Sequence, residues 1–273
     1  MKPAPLCFLI LAWSISLMAA PEEQSEQSTP EQELQHPTEI VIVALGPKPG
    51  RRFKESKGAE APVMLLPQPG EIPPPRLYYK GKSATEKKSD WQGMNLAFNN
   101  PSAMREVTPE KPLILYRKLA GDDEYEKYVT IPAGKPGSRR IFFLLPSTTG
   151  KKLWNSPPLV RTINLDAEVF SGKQFILKNL SKYTVLHAFA DSVTAVPPMK
   201  TISYTRPKTG ELYRLVARYG THKKILYNTA VRLDVEGNIQ LFALYNASPR
   251  TNSGRSVGVF RMMVPYRKPL SQS

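Results

Sequence analysis

Prolines divide this chain into short segments, and their spacing restricts the possible fold more than any other feature. The 273 residues include 27 prolines, about one residue in ten and roughly twice the usual frequency. Proline ends helices, and in sheets it is confined to edges and turns. From Glu39 onward, no window between prolines has a long 3.6-residue apolar period. The sequence therefore predicts an all-β body.

The segments between the breaks are typical of strands. Apolar runs of about five to eight residues alternate with Pro, Gly, Asn or Lys. The clearest predicted strands cover 39–45, 76–80, 112–118, 139–145, 200–205, 211–219 and 257–264. A hairpin is predicted over 230–246, where two runs flank Glu236-Gly237-Asn238. Pro73-Pro74-Pro75 is interpreted as a rigid lead-in to the strand at 76–80.

A linker-like stretch near the middle suggests two domains. PSTTGKKLWNSPP (146–158) has about seven candidate strands on each side, the number that a sandwich needs. We therefore predict two immunoglobulin-like β-sandwich domains, 38–148 and 149–273. A single larger sandwich is the alternative.

The N-terminus is typical of an exported protein. Residues 1–20 combine an early Lys, an apolar segment and two closing alanines, which predicts a secretory signal peptide. The cleavage motif is imperfect, so a retained N-terminal anchor is the alternative. Residues 21–37 are acidic and rich in Gln and Pro, which predicts a disordered tether. No later run approaches the ~20 apolar residues of a membrane span.

Cysteine use and charge narrow the expected location and partner. Cleavage would remove Cys7, the only cysteine, and an exported chain without disulfides suits a bacterial periplasm or cell surface. Removing the one base and five acids of residues 1–37 from totals of 38 and 23 leaves a body charge of +19. That charge favours an anionic polysaccharide or envelope polymer as ligand, unless it serves only solubility. Basic and aromatic side chains mix at 75–82 and 211–224, but export argues against nucleic acid.

Three Asn-x-Ser triplets recur at the ends of apolar runs. They begin at Asn100, Asn179 and Asn246. Such triplets are glycan acceptors in some proteins, but Pro101 occupies the forbidden middle position of the first. Asn and Ser side chains also bond nearby backbone at corners. We interpret the triplets as β-corners, and their recurrence suggests related sandwich units.

Catalytic patterns are weak. Residues 254–258 fit G-x-S-x-G, but a turn leads into a strand there and no histidine follows Ser256. His187 alternates with apolar neighbours and is interpreted as a half-buried core histidine, with catalysis beside Asp191 as the alternative.

Metal and phosphate sites are also not predicted. His36 lies in the tether, and His222 lies in a basic turn. The carboxylates of 122–126 are interpreted as a solvated turn, with weak Ca²⁺ binding as the alternative. Gly81-Lys82-Ser83 lacks the upstream glycine of a phosphate-binding loop. We assign no catalytic, cofactor-binding or metal residue.

The complete layout includes the closing segment LFALYNASPRTNSGRSVGVFRMMVPY (241–266). With its signal peptide, charged tether and β-runs, it resembles uncharacterised exported proteins of the Planctomycetes–Verrucomicrobia type. That resemblance implies no activity. The sequence favours a non-enzymatic binding or structural protein of the bacterial envelope. The alternatives are an envelope hydrolase with a non-local carboxylate or His187 site, and a structural subunit that assembles by strand-edge pairing.

Overall fold

The computed structural model of the protein describes most of the chain after residue 36. The described ranges are 37–54, 61–81, 91–108, 111–119, 124–147, 152–165, 173–189, 192–205, 212–219, 222–230, 238–247 and 257–265. They contain strands and turns, and no helix long and apolar enough to cross a membrane is found in them. The all-β prediction is confirmed. The predicted signal peptide and, apart from Pro37, the predicted tether lie outside the described residues.

The described residues form eighteen strands. The first ten are β1 (Thr38–Ala44), β2 (Arg52–Lys54), β3 (Val63–Leu65), β4 (Arg76–Lys80), β5 (Trp91–Asn95), β6 (Arg105–Val107), β7 (Leu113–Lys118), β8 (Tyr125–Ile131), β9 (Arg139–Leu145) and β10 (Leu159–Asn164). The other eight are β11 (Lys173–Asn179), β12 (Val185–Phe189), β13 (Ser192–Val196), β14 (Thr201–Thr205), β15 (Leu212–Tyr219), β16 (His222–Ala230), β17 (Asn238–Asn246) and β18 (Val257–Pro265).

These strands form four sheets of four strands and one small ribbon. Sheet I has the order β10-β9-β1-β6, and sheet II has the order β5-β4-β7-β8. Sheet III has the order β14-β11-β17-β18, and sheet IV has the order β13-β12-β15-β16. The ribbon consists of β2 and β3 alone.

Three apolar cores join the sheets in the order II, I, III, IV. In β1, Ile40 and Ile42 face the core with sheet II, whereas Val41 and Val43 face the core with sheet III. A strand that is covered on both faces needs an almost continuous apolar run, as this one has. Sheets I and II are called the first sandwich here, and sheets III and IV the second.

The two sandwiches have the same strand order. β1 pairs in parallel with β9 in the first, and β11 pairs in parallel with β17 in the second. Once the ribbon is left out, sheet I read as β10-β9-β1-β6 corresponds to sheet III read as β18-β17-β11-β14. Sheet II, β5-β4-β7-β8, corresponds in the same way to sheet IV, β13-β12-β15-β16. This agreement supports the hypothesis of related sandwich units.

The clearest predicted strands coincide with β1, β4, β7, β9, β14, β15 and β18. The first arm of the hairpin predicted over 230–246 lies outside the described residues, because 231–237 are not described. Its second arm is β17, whose described neighbours are β11 and β18. In β17, Leu241 and Ala243 face one core while Phe242 and Leu244 face the other. β17 is covered on both faces and is a central strand of sheet III, with β11 along one edge and β18 along the other.

Part of the stretch predicted as a linker, 146–158, packs against the first sandwich; residues 148–151 lie outside the described residues. Trp154 is buried, its backbone N–H donates to the Gly70 carbonyl at 2.9 Å, and its own carbonyl accepts from the Tyr128 hydroxyl at 2.9 Å. β10 then pairs with β9, so the predicted boundary at 148/149 falls between neighbouring strands of sheet I. By its contacts, Gln35–Ser273 is one unit, and the two-domain division stays a prediction.

Candidate binding face

Sheet II carries four aromatic rings on its outer surface. Leu77 in β4 is buried against sheet I, so the next residue, Tyr78, projects from the opposite face. The Trp91 ring stacks on Tyr125 with centroids 4.0 Å apart and meets Tyr116 edge-on at 5.0 Å. Tyr78 meets Tyr125 edge-on at 5.1 Å. All four rings are half-buried, and together they are called the aromatic face.

Two exposed cations lie over these rings. The guanidinium carbon of Arg76 is 5.4 Å from the centre of the Tyr78 ring, and Nζ of Lys80 is 5.6 Å from the Trp91 ring. Gly93, which pairs with Tyr78, makes room for the first contact, because a Cβ there would collide with the Arg76 guanidinium. Within the described ranges neither cation has a carboxylate partner. Their charge is therefore available to a ligand.

A groove of ≈ 660 Å³ adjoins the aromatic face. One wall is the proline-rich segment 67–75, and the other includes the end of β7 and the Trp154-Asn155 pair. Arg76 and Tyr78 line both the groove and the aromatic face, so the two surfaces are continuous. No carboxylate is found among the described residues that line it. The predicted lead-in of three prolines thus forms part of the groove wall as well as preceding β4.

Contacts of Gly70 and Tyr128 hold the groove wall in place. Gly70 has a φ of +84°, and a Cβ at this position would collide with the Asn155 amide. Burial raises the pKa of Tyr128 far above its ordinary value of 10.0, with a smaller opposing effect of Arg117. The hydroxyl therefore keeps its proton and donates to the Trp154 carbonyl. These contacts favour a groove that is formed before a ligand arrives.

Arg117 has a different electrostatic role from Arg76. Its guanidinium lies 2.7 Å from the Glu126 carboxylate and donates to the Asn155 carbonyl at 2.8 Å. Its charge is thus already partnered, and it braces the wall. Glu126 was one of the carboxylates considered as a Ca²⁺ ligand, and the structure places it in this ion pair.

The arrangement combines stacking surfaces with cations. Aromatic rings offer flat apolar surfaces on which the faces of sugar rings pack, and each ring face attracts cations. Guanidinium and ammonium groups bind carboxylate or sulfate oxygens through charge-assisted hydrogen bonds. No group of three His, Cys, Asp or Glu in the described part of the chain is placed to hold a metal ion.

His187, the strongest catalytic candidate from the sequence, lies in the core of the second sandwich. Its side chain is 3% exposed, and its ring lies 5.1 Å from Tyr213 and 6.3 Å from Phe175. Burial lowers the pKa of His187 from 6.5 to about 4, and a backbone hydrogen bond opposes that shift. His187 is therefore buried in the core, more completely than the half-buried position that the sequence predicts. Asp191, its proposed partner, lies outside the described residues.

We expect the free energy of unfolding to decrease as the pH falls, because His187 is buried. Because its pKa is 6.5 when unfolded and about 4 when folded, the unfolded chain binds the proton more tightly. The resulting stabilisation is fully present above pH 6.5 and is lost as the pH falls towards 4. Urea unfolding should show a loss of about 2–3 kcal/mol at pH 4.5 relative to pH 7 beyond that of His187→Leu. Equal losses in both proteins would contradict this expectation.

The other sequence candidates are not among the described side chains of the aromatic face. Ser256, Asp122, Asp123, Lys82 and Ser83 lie outside the described residues, as does His36. Only the backbone of His222 is described, as the first residue of β16. In the basic segment 211–224, Tyr213 is buried in the core, so its ring is not part of a surface platform.

Of the two basic and aromatic segments, 75–82 contributes described side chains to the site, and no described side chain of 211–224 lies in the aromatic face or lines the groove. Sequence reasoning missed Trp91, Tyr116 and Tyr125, since they join Tyr78 from three other strands. A signal was present in the sequence. Trp91 is three residues before Met94 on β5, and Met94 is buried, so Trp91 lies on the opposite, outward face. The pairing of distant strands was needed to read it.

Comparison with protein-family models finds no family that matches this chain, and comparison with curated proteins finds no match either.

Proposed function

We propose that this protein is an exported, non-enzymatic binding protein of the bacterial cell envelope and that it holds an anionic glycan on the aromatic face and in the adjoining groove. The observation that carries this proposal is the position of Arg76 and Lys80. Both lie over aromatic rings, are exposed and lack a carboxylate partner in the described residues. A sugar ring that carries a carboxylate or sulfate can be bound by this combination of stacking surface and cation.

The shape of the site supports a chain rather than a single small molecule. The groove and the aromatic face share Arg76 and Tyr78, so a ligand can occupy both at once. The body charge of +19 would also attract an anionic polymer over a distance that depends on salt. Export to the periplasm or surface, where such polymers occur, belongs to the same proposal.

Two finer points of fold belong to the proposal. The division into two domains is supported by the repeated strand order. The immunoglobulin-like subclass stays a prediction with less support, because constant-type immunoglobulin domains have sheets of four and three strands whereas these sandwiches have four and four. The resemblance to exported Planctomycetes–Verrucomicrobia proteins is likewise proposed.

Removing the stacked tryptophan should weaken glycan binding. Trp91→Ala is expected to lower affinity for immobilised alginate, a polyuronate, by roughly 1–3 kcal/mol, because a stacking surface is lost. Lys80→Ala should cost about 0.5–2 kcal/mol through loss of its cation. Both effects are measured by retention on an alginate column at increasing salt, with neutral dextran resin as the comparison.

Lys182 provides a matched control for Lys80. Its Nζ lies 5.3 Å from the Tyr183 ring, a similar cation–aromatic pair on the second sandwich. Lys182→Ala should leave alginate retention almost unchanged, although it removes the same charge. Equal retention on dextran would show that the ligand need not be anionic. Equal losses for both lysine variants would show that the binding is not located at the aromatic face.

The hydrolase alternative has less support. It requires a reactive group in a cleft, and His187 is enclosed by aromatic side chains in a core. The described lining of the groove includes cations and prolines but no carboxylate to act as acid or base.

A further inference from the structure

The ribbon of β2 and β3 exposes an unusual amount of apolar side chain. Five large apolar residues in or beside its strands are 45–78% exposed: Phe53, Val63, Met64, Leu65 and Leu66. Isolated exposed apolar residues are common on soluble proteins, but a contiguous group marks an interaction surface. The group is separate from the aromatic face, which lies on sheet II.

Both faces of the ribbon are open. Phe53 pairs with Met64, and the neighbouring pairs Arg52–Leu65 and Lys54–Val63 project from the other side. Phe53, Met64, Val63 and Leu65 all remain exposed, so no described part of the protein covers either face.

The fold itself does not require the ribbon. The second sandwich has the same strand order and passes from β11 to β12 without a counterpart of β2 and β3. A sandwich of this kind is therefore complete without the insertion. The exposed apolar side chains must be explained by something other than packing within the first sandwich.

The charge of the ribbon indicates what its partner is. Residues 47–66 contain five bases and two acids, a net charge of +3. Lys48, Arg51 and Lys54 are exposed, while Arg52 is held at the base of the ribbon by Glu71 at 2.6 Å. Two copies meeting through this surface would bring like charges together. An anionic lipid surface offers the opposite charge and an apolar interior.

We propose that the β2–β3 ribbon attaches the protein to anionic lipid by inserting Phe53, Met64 and Leu66 at the headgroup boundary while its lysines and arginines contact the lipid charges. The depth is limited, because a two-stranded ribbon has edge backbone groups that cannot enter the hydrocarbon core without hydrogen-bond partners. The protein is thereby held beside the membrane, with the aromatic face on a different sheet.

Vesicle flotation of the chain without its predicted signal peptide, residues 1–20, tests this attachment. The protein should float with vesicles of phosphatidylcholine and phosphatidylglycerol and should remain with the soluble fraction when the vesicles are phosphatidylcholine alone. Phe53→Ser combined with Leu66→Ser should lower the partition coefficient at least about tenfold, because two apolar insertions are lost. Absence of flotation, or equal flotation with neutral vesicles, would overturn the proposal.

A matched control uses two exposed apolar residues of the second sandwich. Val193 and Ile225 are 67% and 53% exposed, so Val193→Ser with Ile225→Ser removes comparable apolar surface elsewhere. This control should float as the wild type does. Equal losses in both double variants would overturn the proposal, and so would a concentration-dependent dimer that disappears with Phe53→Ser, since the ribbon would then bind a second copy. Alginate retention should be unchanged in both, which separates this test from that of the aromatic face.

Discussion

Asn179→Ala is expected to lower the free energy of unfolding by about 3–5 kcal/mol, since it leaves several buried polar groups without partners at about 1–3 kcal/mol each. The Asn179 side chain is completely buried at the end of β11. Its Nδ2 donates to the carbonyls of Tyr183 and Val196 at 2.8 and 2.9 Å. Its Oδ1 accepts from the N–H and the hydroxyl of Ser181 at 3.0 and 2.8 Å.

The same geometry explains why the triplet is a corner and not a glycan site. Nδ2 is the atom to which a glycan would be attached, and here both of its hydrogens are used inside the protein. Asn179→Asp should be nearly as damaging as the alanine variant, because an acceptor would then face two carbonyls. The apparent mass of the protein should not change in either variant.

The other two triplets provide graded controls. Asn246 ends β17, and its Oδ1 accepts only the exposed Lys182 N–H at 3.0 Å, so Asn246→Ala should cost about 1 kcal/mol or less. Asn100 is exposed and makes one long bond of 3.5 Å to the Phe98 carbonyl, so Asn100→Ala should be almost neutral. Urea unfolding of the three variants measures the series. Equal costs at Asn179 and Asn246 would contradict the argument.

The individual strands were predictable from sequence because burial on both faces leaves a local record. β1 and β9 are covered on both sides, so TEIVIVA and RRIFFLL read as apolar runs without knowledge of their partners. Proline spacing located the breaks between runs in the same local way. The all-β class required no more than these two signals.

The strand order could not be predicted, because it depends on distant pairs. β1 finds its parallel neighbour in β9, and Glu39 pairs with Arg139 across most of the first sandwich. The hairpin predicted over 230–246 met the same limit, since a turn-like Glu236-Gly237-Asn238 does not show which strands share a sheet. Its described arm, β17, pairs with β11 and β18. Likewise, the buried position of Trp154 in a Pro- and Ser-rich stretch depends on Tyr128 and Gly70.

The candidate site shows the same limit. The segment 75–82 was recognisable as basic and aromatic, but its partners Trp91, Tyr116 and Tyr125 come from other strands. The tyrosines in 211–224 looked equally suitable in sequence, yet Tyr213 is buried. Residue type therefore indicated the chemistry, whereas the face on which each ring lies required the pairing of the sheet.

Substitution of the buried ion pair of Glu39 and Arg139 should also lower the stability of the protein strongly. Arg139 Nε donates to the Glu39 carboxylate at 2.7 Å, and the two side chains are only 9% and 11% exposed. They are directly paired on the parallel strands β1 and β9. Glu39→Ala is expected to lower the free energy of unfolding by about 3–5 kcal/mol, because the buried Arg139 guanidinium loses the Glu39 carboxylate.

Replacing both residues separates the destabilisation caused by removing one charge from the contribution of the ion pair to stability. Glu39→Leu with Arg139→Met removes both charges and fills the space with apolar groups, so its stability should be close to or above that of the wild type. If urea unfolding instead shows the double variant to be as unstable as Glu39→Ala, the pair stabilises the protein in its own right. The predicted recovery would mean that β1 and β9 are held together by their apolar faces, and that the ion pair chiefly disfavours other registers.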